Sequence, residues 1–373
     1  MLISDFLFQK AARNRIPLNV TMELSPVCNF RCKMCYVRKT EAQIRQEGKS
    51  IIDWTQWLEV AKQLREAGTL YLLLTGGEPF LYPHFKELYT ELHRMGFLIM
   101  INTNGTLINE EVLQWLKDMA PYRINLTLYG GSRETYSRIC GNPSGYDKAM
   151  SALRSLKELG IATVINGSMI PENACDLETI MALGRELHLN TRISTYMFPP
   201  VRRDAEESDS RFTPEESADM FIRKIIFATD MEQRLDYFRS QVCAVSPSEE
   251  ESWGDHKEEH MQCRAGRSSF WISWDGTMCA CGLMPFPKTF QAFDGKIIEH
   301  WLELTEVVQA QTVMGSCAGC EMRTVCKPCV ATVYAESGKT EGRVPYLCEL
   351  AKCTTERIQN YLKEYDNEYT RES

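Results

Sequence analysis

Cys28-Asn29-Phe30-Arg31-Cys32-Lys33-Met34-Cys35 places three thiols in one short loop, with three and then two residues between them. Thiolates so spaced can hold three irons of a four-iron, four-sulfur cluster and leave the fourth iron without a protein ligand. An open metal position is where a substrate or cofactor binds. Zinc also takes thiolates, but this ladder has no fourth Cys or His close by. In a chain with 15 Cys among 373 residues, chance would produce the spacing roughly 0.02 times.

Outward from this loop the chain alternates short apolar runs with amphipathic ones. The strands expected are Leu18–Leu24, Leu70–Leu74, Phe97–Ile101, Ile124–Leu128, Ile161–Ile165 and Thr191–Tyr196. They are short and apolar, as strands covered on both faces should be. Between them lie helical segments with good ends. Asp53 caps a helix running to Ala67 and stopped by Gly68. His84–Met95 stops at Gly96, and Asn109 caps Glu110–Met119. Tyr146–Leu159 stops at Gly160, and Asp176–His188 closes the set. Strand and helix in alternation give βαβ units and a parallel sheet. The fold class is therefore α/β, a partial (β/α)6 TIM-like barrel. Six units are too few for a closed eight-fold barrel. In such barrels chemistry sits at the C-terminal strand ends, where the Cys loop falls.

The boundaries read as an N-terminal extension over 1–17, the barrel over 18–199, a bridge over 200–260 and a small Cys-rich domain over 261–373. The bridge contains Pro199-Pro200, acidic stretches around Asp204–Asp209 and Glu249–Glu251, and a helical segment at Pro214–Thr229. The last part holds nine Cys: Cys263, Cys279, Cys281, Cys317, Cys320, Cys326, Cys329, Cys348 and Cys353. Met1–Val20 carries Lys10, Arg13 and Arg15 and no long apolar run, so no secretory signal is expected. No stretch approaches the roughly 20 apolar residues of a membrane span. A cytoplasmic location is expected, and there Cys clusters mean metal rather than disulfides. A net charge of -8 without a basic groove argues against a nucleic-acid partner.

Three further rim segments carry polar groups. Thr75-Gly76-Gly77-Glu78-Pro79 follows the second strand, and paired Gly let the backbone approach a ligand. Asn102-Thr103-Asn104-Gly105-Thr106 follows the third strand, and Thr127-Leu128-Tyr129-Gly130-Gly131 the fourth. Asn102, Asn104 and Thr127 could hold a ribose or a carboxylate there, or simply build turns.

The three-Cys loop, the Gly76-Gly77-Glu78-Pro79 turn and the partial barrel together resemble the radical S-adenosylmethionine (radical SAM) superfamily over residues 18–196. The resemblance implies that Cys28, Cys32 and Cys35 hold a cluster whose open iron chelates S-adenosylmethionine. Reductive cleavage then yields a 5′-deoxyadenosyl radical that removes hydrogen from an unactivated C–H bond. It also implies that the Gly76–Glu78 backbone holds the methionine amino group, with Met34 and Tyr36 bordering the adenine.

The C-terminal part resembles the SPASM extension of many such enzymes. The pattern here is Cys263-x12-Gly276-x4-Cys281, then Cys317-x2-Cys320-x5-Cys326-x2-Cys329, then Cys348. The family ladder usually has three residues before its last Cys, where this chain has two. The resemblance assigns Cys317, Cys320, Cys326 and Cys348 to a distal cluster. It assigns Cys263, Cys281 and Cys329 to a proximal one, whose fourth ligand is Cys243, Cys279 or none. Three 4Fe-4S clusters are thus expected, one for S-adenosylmethionine and two auxiliary; two zincs are the alternative for the C-terminal set. Cys140 and Cys175 match no ladder, and Cys353 has no assigned role.

SPASM-bearing radical enzymes act mostly on peptides and proteins. The leading expectation is a maturase forming a crosslink in a ribosomal peptide, fed by an electron donor such as flavodoxin or ferredoxin. Only 27 residues precede Cys28, so leader recognition, if any, would need a separate protein or another surface. Alternatives are a small-molecule radical enzyme acting on a porphyrin or sugar, a sulfatase-maturing oxidase, and a non-catalytic electron-transfer protein. The sulfatase-maturing family carries an Asp after the Cys matching Cys281, where this chain has Gly282.

Overall fold

The computed structural model describes residues 3–199, 210–242, 263–311, 317, 320–326 and 329–372. Its centre is a sheet of parallel strands: β1 (Asn19–Ser25), β2 (Tyr71–Gly76), β3 (Leu98–Thr103), β4 (Arg123–Thr127), β5 (Thr163–Ser168) and β6 (Asn190–Ser194). These are the six expected strands, their limits shifted by a few residues. They stand in sequence order, each pairing with the next. A connection that returns the chain parallel to the adjacent strand must cross over a helix, and each helix read from the sequence is present. They are Trp54–Glu66, Phe85–Arg94, Glu110–Asp118, Ser144–Glu158 and Leu177–Glu186. The caps work as read: Asp53 accepts from Thr55 N–H and Asn109 from Val112 N–H.

Period two sorts the strand residues. Val20, Met22 and Leu24 of β1, Leu72 and Leu74 of β2, Ile99 and Ile101 of β3, and Ile124 and Leu126 of β4 are all buried. They join one apolar cluster with helix residues such as Trp57, Leu88, Leu116 and Leu153. The alternate residues therefore line the concave inner face, and many are polar: Thr21, Glu23, Thr75, Asn102, Arg123, Asn125, Asn166 and Arg192.

The sheet does not end at β1. A seventh strand, β7 (Ser269–Ile272), pairs parallel to the outer side of β1, Asn19 with Ser269 and Thr21 with Trp271. An antiparallel ribbon of β8 (Thr277–Cys279) and β9 (Phe290–Gln291) completes the order β6-β5-β4-β3-β2-β1-β7-β8-β9. Two inner-face contacts weld the junction. Trp271 Nε1 donates to Glu23 Oε2 at 3.2 Å, and Ser273 Oγ donates to Glu23 Oε1 at 3.4 Å. On the other face Trp301, on the helix Ile297–Gln309, stacks on Phe270 of β7 at 5.3 Å. Its Nε1 donates to the carbonyl of Arg15 at 2.7 Å.

Beyond β6 the helices Pro214–Ala228 and Met231–Val242 pack against the long C-terminal helix Pro345–Glu372. The acidic stretches expected in the bridge lie largely outside the described residues, as does Cys243. No helix among the described residues is long and apolar enough to cross a membrane.

Trp301 is fully buried and hydrogen-bonded. Trp301→Ala should therefore destabilise the protein by about 3–5 kcal/mol, read as a shift of the urea midpoint. Trp301→Phe keeps the stacking and should cost clearly less.

Candidate active site

The Cys loop leaves the C-terminal end of β1 and is held on three sides. Phe30 is buried between Tyr129 and Tyr136, with edge-on ring contacts at 5.7 and 6.1 Å. Gly145 makes room for it: a Cβ there would stand 2.5 Å from the Phe30 ring. The N–H groups of Arg31 and Lys33 donate to the carbonyls of Cys140 and Ile139 at 3.0 and 3.1 Å, where the helix Arg133–Cys140 ends. Lys33 also pairs with Glu172 at 3.0 Å.

The glycine turn forms the second wall. Gly77 N–H donates to Ser25 O at 2.7 Å, and Glu78 N–H to Val27 O at 3.0 Å. Gly76 has φ +142°, and a Cβ on it would stand 2.3 Å from Ser25 O; one on Gly77 would stand 2.2 Å from Val27 O. Only glycine fits so near a neighbouring backbone. These two N–H groups are spent on fastening the turn to β1, so carbonyl oxygens are what remains there for a ligand ammonium group.

Glu78 points into the protein. Its carboxylate accepts from Thr103 Oγ1 (2.7 Å), Asn104 N–H (2.9 Å) and Phe80 N–H (3.3 Å). Burial raises its pKa to about 7 against those hydrogen bonds. Asn104 is also turned to internal work: its Nδ2 donates to Asn29 Oδ1 at 2.8 Å and approaches Cys28 Sγ at 3.9 Å. Asn102 lies on the inner face, donating to Thr75 Oγ1 at 3.5 Å and accepting from Asn125 at 2.8 Å. Thr127 closes the inner face of β4. Met34 packs on the core edge, and Tyr36 meets Phe198 at 5.6 Å.

The three thiols suit a thiolate-held cluster. All are free of disulfides. Phe30 N–H points at Cys28 Sγ at 3.4 Å and Arg38 N–H at Cys35 Sγ at 3.3 Å, donors that favour anionic sulfur. Burial pushes the Cys28 thiol up to about 12, with Glu78 and the other two thiols adding to it. A hydrogen bond with Cys140, and then burial, raise the Cys32 thiol well above its ordinary value. Metal binding must therefore expel protons here. Cys140 was not expected at this site. No spacing rule reaches across more than a hundred residues; the carbonyl contacts from the end of its helix bring it in.

The C-terminal cysteines form two groups. Cys326 has its thiol raised to about 11, by burial and then by the charges of Cys348, Cys317 and Cys320. Burial, with the nearby Cys329, raises the Cys263 thiol. Cys281 follows β8, and Cys279 Sγ donates to the Cys281 carbonyl at 3.2 Å. Cys175 is exposed; Cys353 is buried and lies with Glu215 and Glu349.

A three-thiol loop at the C-terminal rim of a partial parallel barrel, beside a glycine turn, fits a thiolate-held iron–sulfur cluster with one iron left open. The chain carries a match to the Radical SAM superfamily model over residues 22–184, followed by a Cys-rich C-terminal segment. The AdoMet-dependent heme synthase of Methanosarcina barkeri is 26% identical over 90% of this chain and 97% of its own length. The subtilosin biosynthesis protein AlbA of Bacillus subtilis is 25% identical over 46% of this chain and 38% of its own. Streptococcus suis SuiB, solved with its precursor peptide SuiA, shares the fold: TM-score 0.65 at 15% identity, over 91% of this chain and 78% of that one.

The buried Glu78 gives a pH signature. Its folded pKa lies above the usual carboxylate value, so the folded state binds the extra proton and stability falls as pH rises from about 4.5 to about 7. Glu78→Gln should abolish that slope. The variant should gain on wild type by roughly 3 kcal/mol at most across this window, read by denaturant titrations at its two ends.

Proposed function

We propose that this enzyme reductively cleaves S-adenosylmethionine and removes a hydrogen atom from an unactivated carbon of its substrate, and that the C-terminal clusters accept the second electron. The observation that carries the reading is the three-thiol loop, fixed against the Gly76-Gly77 turn on the rim of an open polar barrel. When bound, a four-iron cluster at Cys28, Cys32 and Cys35 would supply the electron for cleavage. The chain's own residues supply the rest. Gly76–Glu78 carbonyls receive the amino group, Met34 and Tyr36 border the base, and Asn102 and Thr127 present polar groups on the inner wall. Cys317, Cys320, Cys326 and Cys348 would hold the distal auxiliary cluster, and Cys263, Cys281 and Cys329 the proximal one.

On the substrate side, a peptide matured by crosslinking is the first reading. It is supported by the shared fold of a maturase solved with its precursor peptide and by the barrel-length likeness to AlbA. Flavodoxin or ferredoxin would deliver electrons in the cytoplasm, and a separate protein or another surface of this chain would recognise a leader. A tetrapyrrole substrate is the second reading. The observation favouring it is that the heme synthase relative matches both the barrel and the Cys-rich part, whereas AlbA matches less than half of the chain. The sulfatase-maturing reading has no such support at Gly282.

Replacing Cys28, Cys32 and Cys35 together by Ala should abolish 5′-deoxyadenosine formation while the fold survives, because the six paired strands and the helices between them do not depend on that loop. Undiminished 5′-deoxyadenosine release by anaerobically purified variant would overturn the central assignment. With a peptide substrate, product formation by crosslinking should remove the mass of two hydrogens.

Reconstituted enzyme should contain about 12 irons per chain. Replacing Cys317, Cys320, Cys326 and Cys348 should lower this by about 4 and remove one electron paramagnetic resonance signal. Zinc at the C-terminal sites, with about 4 irons in all, would instead identify them as structural.

A further inference from the structure

We propose that Arg123 and Arg192 form a subsite on the inner face of the barrel that binds a carboxylate of the substrate. The inference rests on the radical SAM reading and adds the substrate's chemical class.

Register places both side chains. Arg123 opens β4, two residues before Asn125 and on the same face. Arg192 of β6 pairs with Asn166 of β5, which pairs with Thr127 of β4. Thr127 lies on the same face as Arg123, so both cations face the barrel interior. Among the described residues neither makes an ion pair. Arg123 Nη2 meets only the Met100 sulfur at 3.2 Å, a weak acceptor. Its Nε is buried with no partner, and so is the Oδ1 of Asn125 beside it. Glu23 is the one carboxylate on the inner face of β1 to β7 among the described residues, and Trp271 and Ser273 engage it.

A buried donor left unmade is expensive, more so on a charged group. Two guanidiniums on one face of the sheet add repulsion, although Arg192 itself is exposed. Burial lowers the Arg123 pKa, and the Arg192 charge lowers it further. An anion removes both costs, and the planar guanidinium fork suits a carboxylate in particular.

The anion is not the carboxylate of S-adenosylmethionine. Arg123 pairs with Met100, and Met100 with Leu73. Leu73 lies three residues before the Gly76 turn, or about 10 Å at the rise of a strand. The subsite therefore reaches inward from the rim, with Arg192 at its outer end and Arg123 at its inner end.

The test uses reconstituted enzyme with all clusters, as wild type, Arg123→Gln, Arg192→Gln, the double variant and Arg123→Lys. One arm measures binding of coproporphyrin III against its tetramethyl ester by fluorescence quenching. The other measures binding of a fluorescently labelled Glu-rich hexapeptide against its Gln counterpart. S-adenosylmethionine affinity and iron content are measured on every variant. In one arm, wild type should prefer the carboxylated probe by about tenfold or more. The double variant should lose that preference with its affinity for the uncharged probe unchanged. Arg123→Lys should retain part of it. The arm that responds identifies the carboxylate's source as a tetrapyrrole or a peptide. The subsite is refuted if wild type prefers neither acid, or if the Gln variants keep the preference. It is also refuted if they weaken S-adenosylmethionine instead. Wild-type 5′-deoxyadenosine formation, measured alongside, separates failure of this subsite from failure of the radical reading.

Discussion

The rim of the barrel depends on one close approach, between the Gly76-Gly77 turn and the backbone of Ser25 to Val27. A single Cβ at either glycine would collide with a carbonyl oxygen at little more than 2 Å. Because the contact is backbone on backbone, no rotamer change can relieve it. It sets where β1 releases the chain into the Cys loop. Glu78, next in sequence, then ties the same turn to the end of β3 through Thr103 and Asn104. Asn104 passes the connection back to Asn29, beside Cys28. Strands β1, β2 and β3 are thereby locked together where a cofactor must be held. A constellation positioned by backbone contacts is more rigid than one built on long side chains.

The second junction joins the barrel to the Cys-rich part. Strand β7 extends the parallel sheet, so the C-terminal thiols are attached through ladder hydrogen bonds and not through a linker alone. Glu23 is the inner-face fastening, gripped by Trp271 and Ser273. Gly282 belongs to the same arrangement. A Cβ on it would stand 2.6 Å from the Trp271 ring. Any side chain there, an Asp included, would displace the indole that holds Glu23. The departure at Gly282 from the sulfatase-maturing pattern is thus bound up with the packing of this barrel wall.

Much of this was legible in the sequence, for reasons that differ by element. The six strands and the helices between them were readable because each has a strong period and a clear stop, such as Gly68, Gly96 or Gly160. Strands β7 to β9 were not, because segments of two to four residues carry too little period to register. The helix Arg133–Cys140 was missed because it is short and mostly polar, so Cys140, noted only as matching no ladder, could not be placed beside the Cys loop. The three-thiol loop was readable because its ligands are local. Glu78 was noted for its neighbourhood on the rim, but its inward direction is fixed by Thr103 and Asn104, more than twenty residues away. Arg123 gave no signal at all, since one cation in an apolar run looks like the start of a strand.

The inner face explains why this barrel needs something inside it. A closed parallel barrel fills its interior with branched apolar side chains. Here one wall carries Asn102, Asn125 and Asn166, two arginines and a glutamate. Such groups are stable facing one another only when their hydrogen bonds are complete. Asn102 and Asn125 satisfy each other in part, and Glu23 is satisfied by β7, but the Arg123 guanidinium is not. Polar walls left incomplete at one place are poor cores and good receptors. The same incompleteness suits radical chemistry, because a substrate that completes the wall also displaces the water near the reacting carbon. Binding and exclusion of solvent then become one event, and the strength of the first sets the extent of the second.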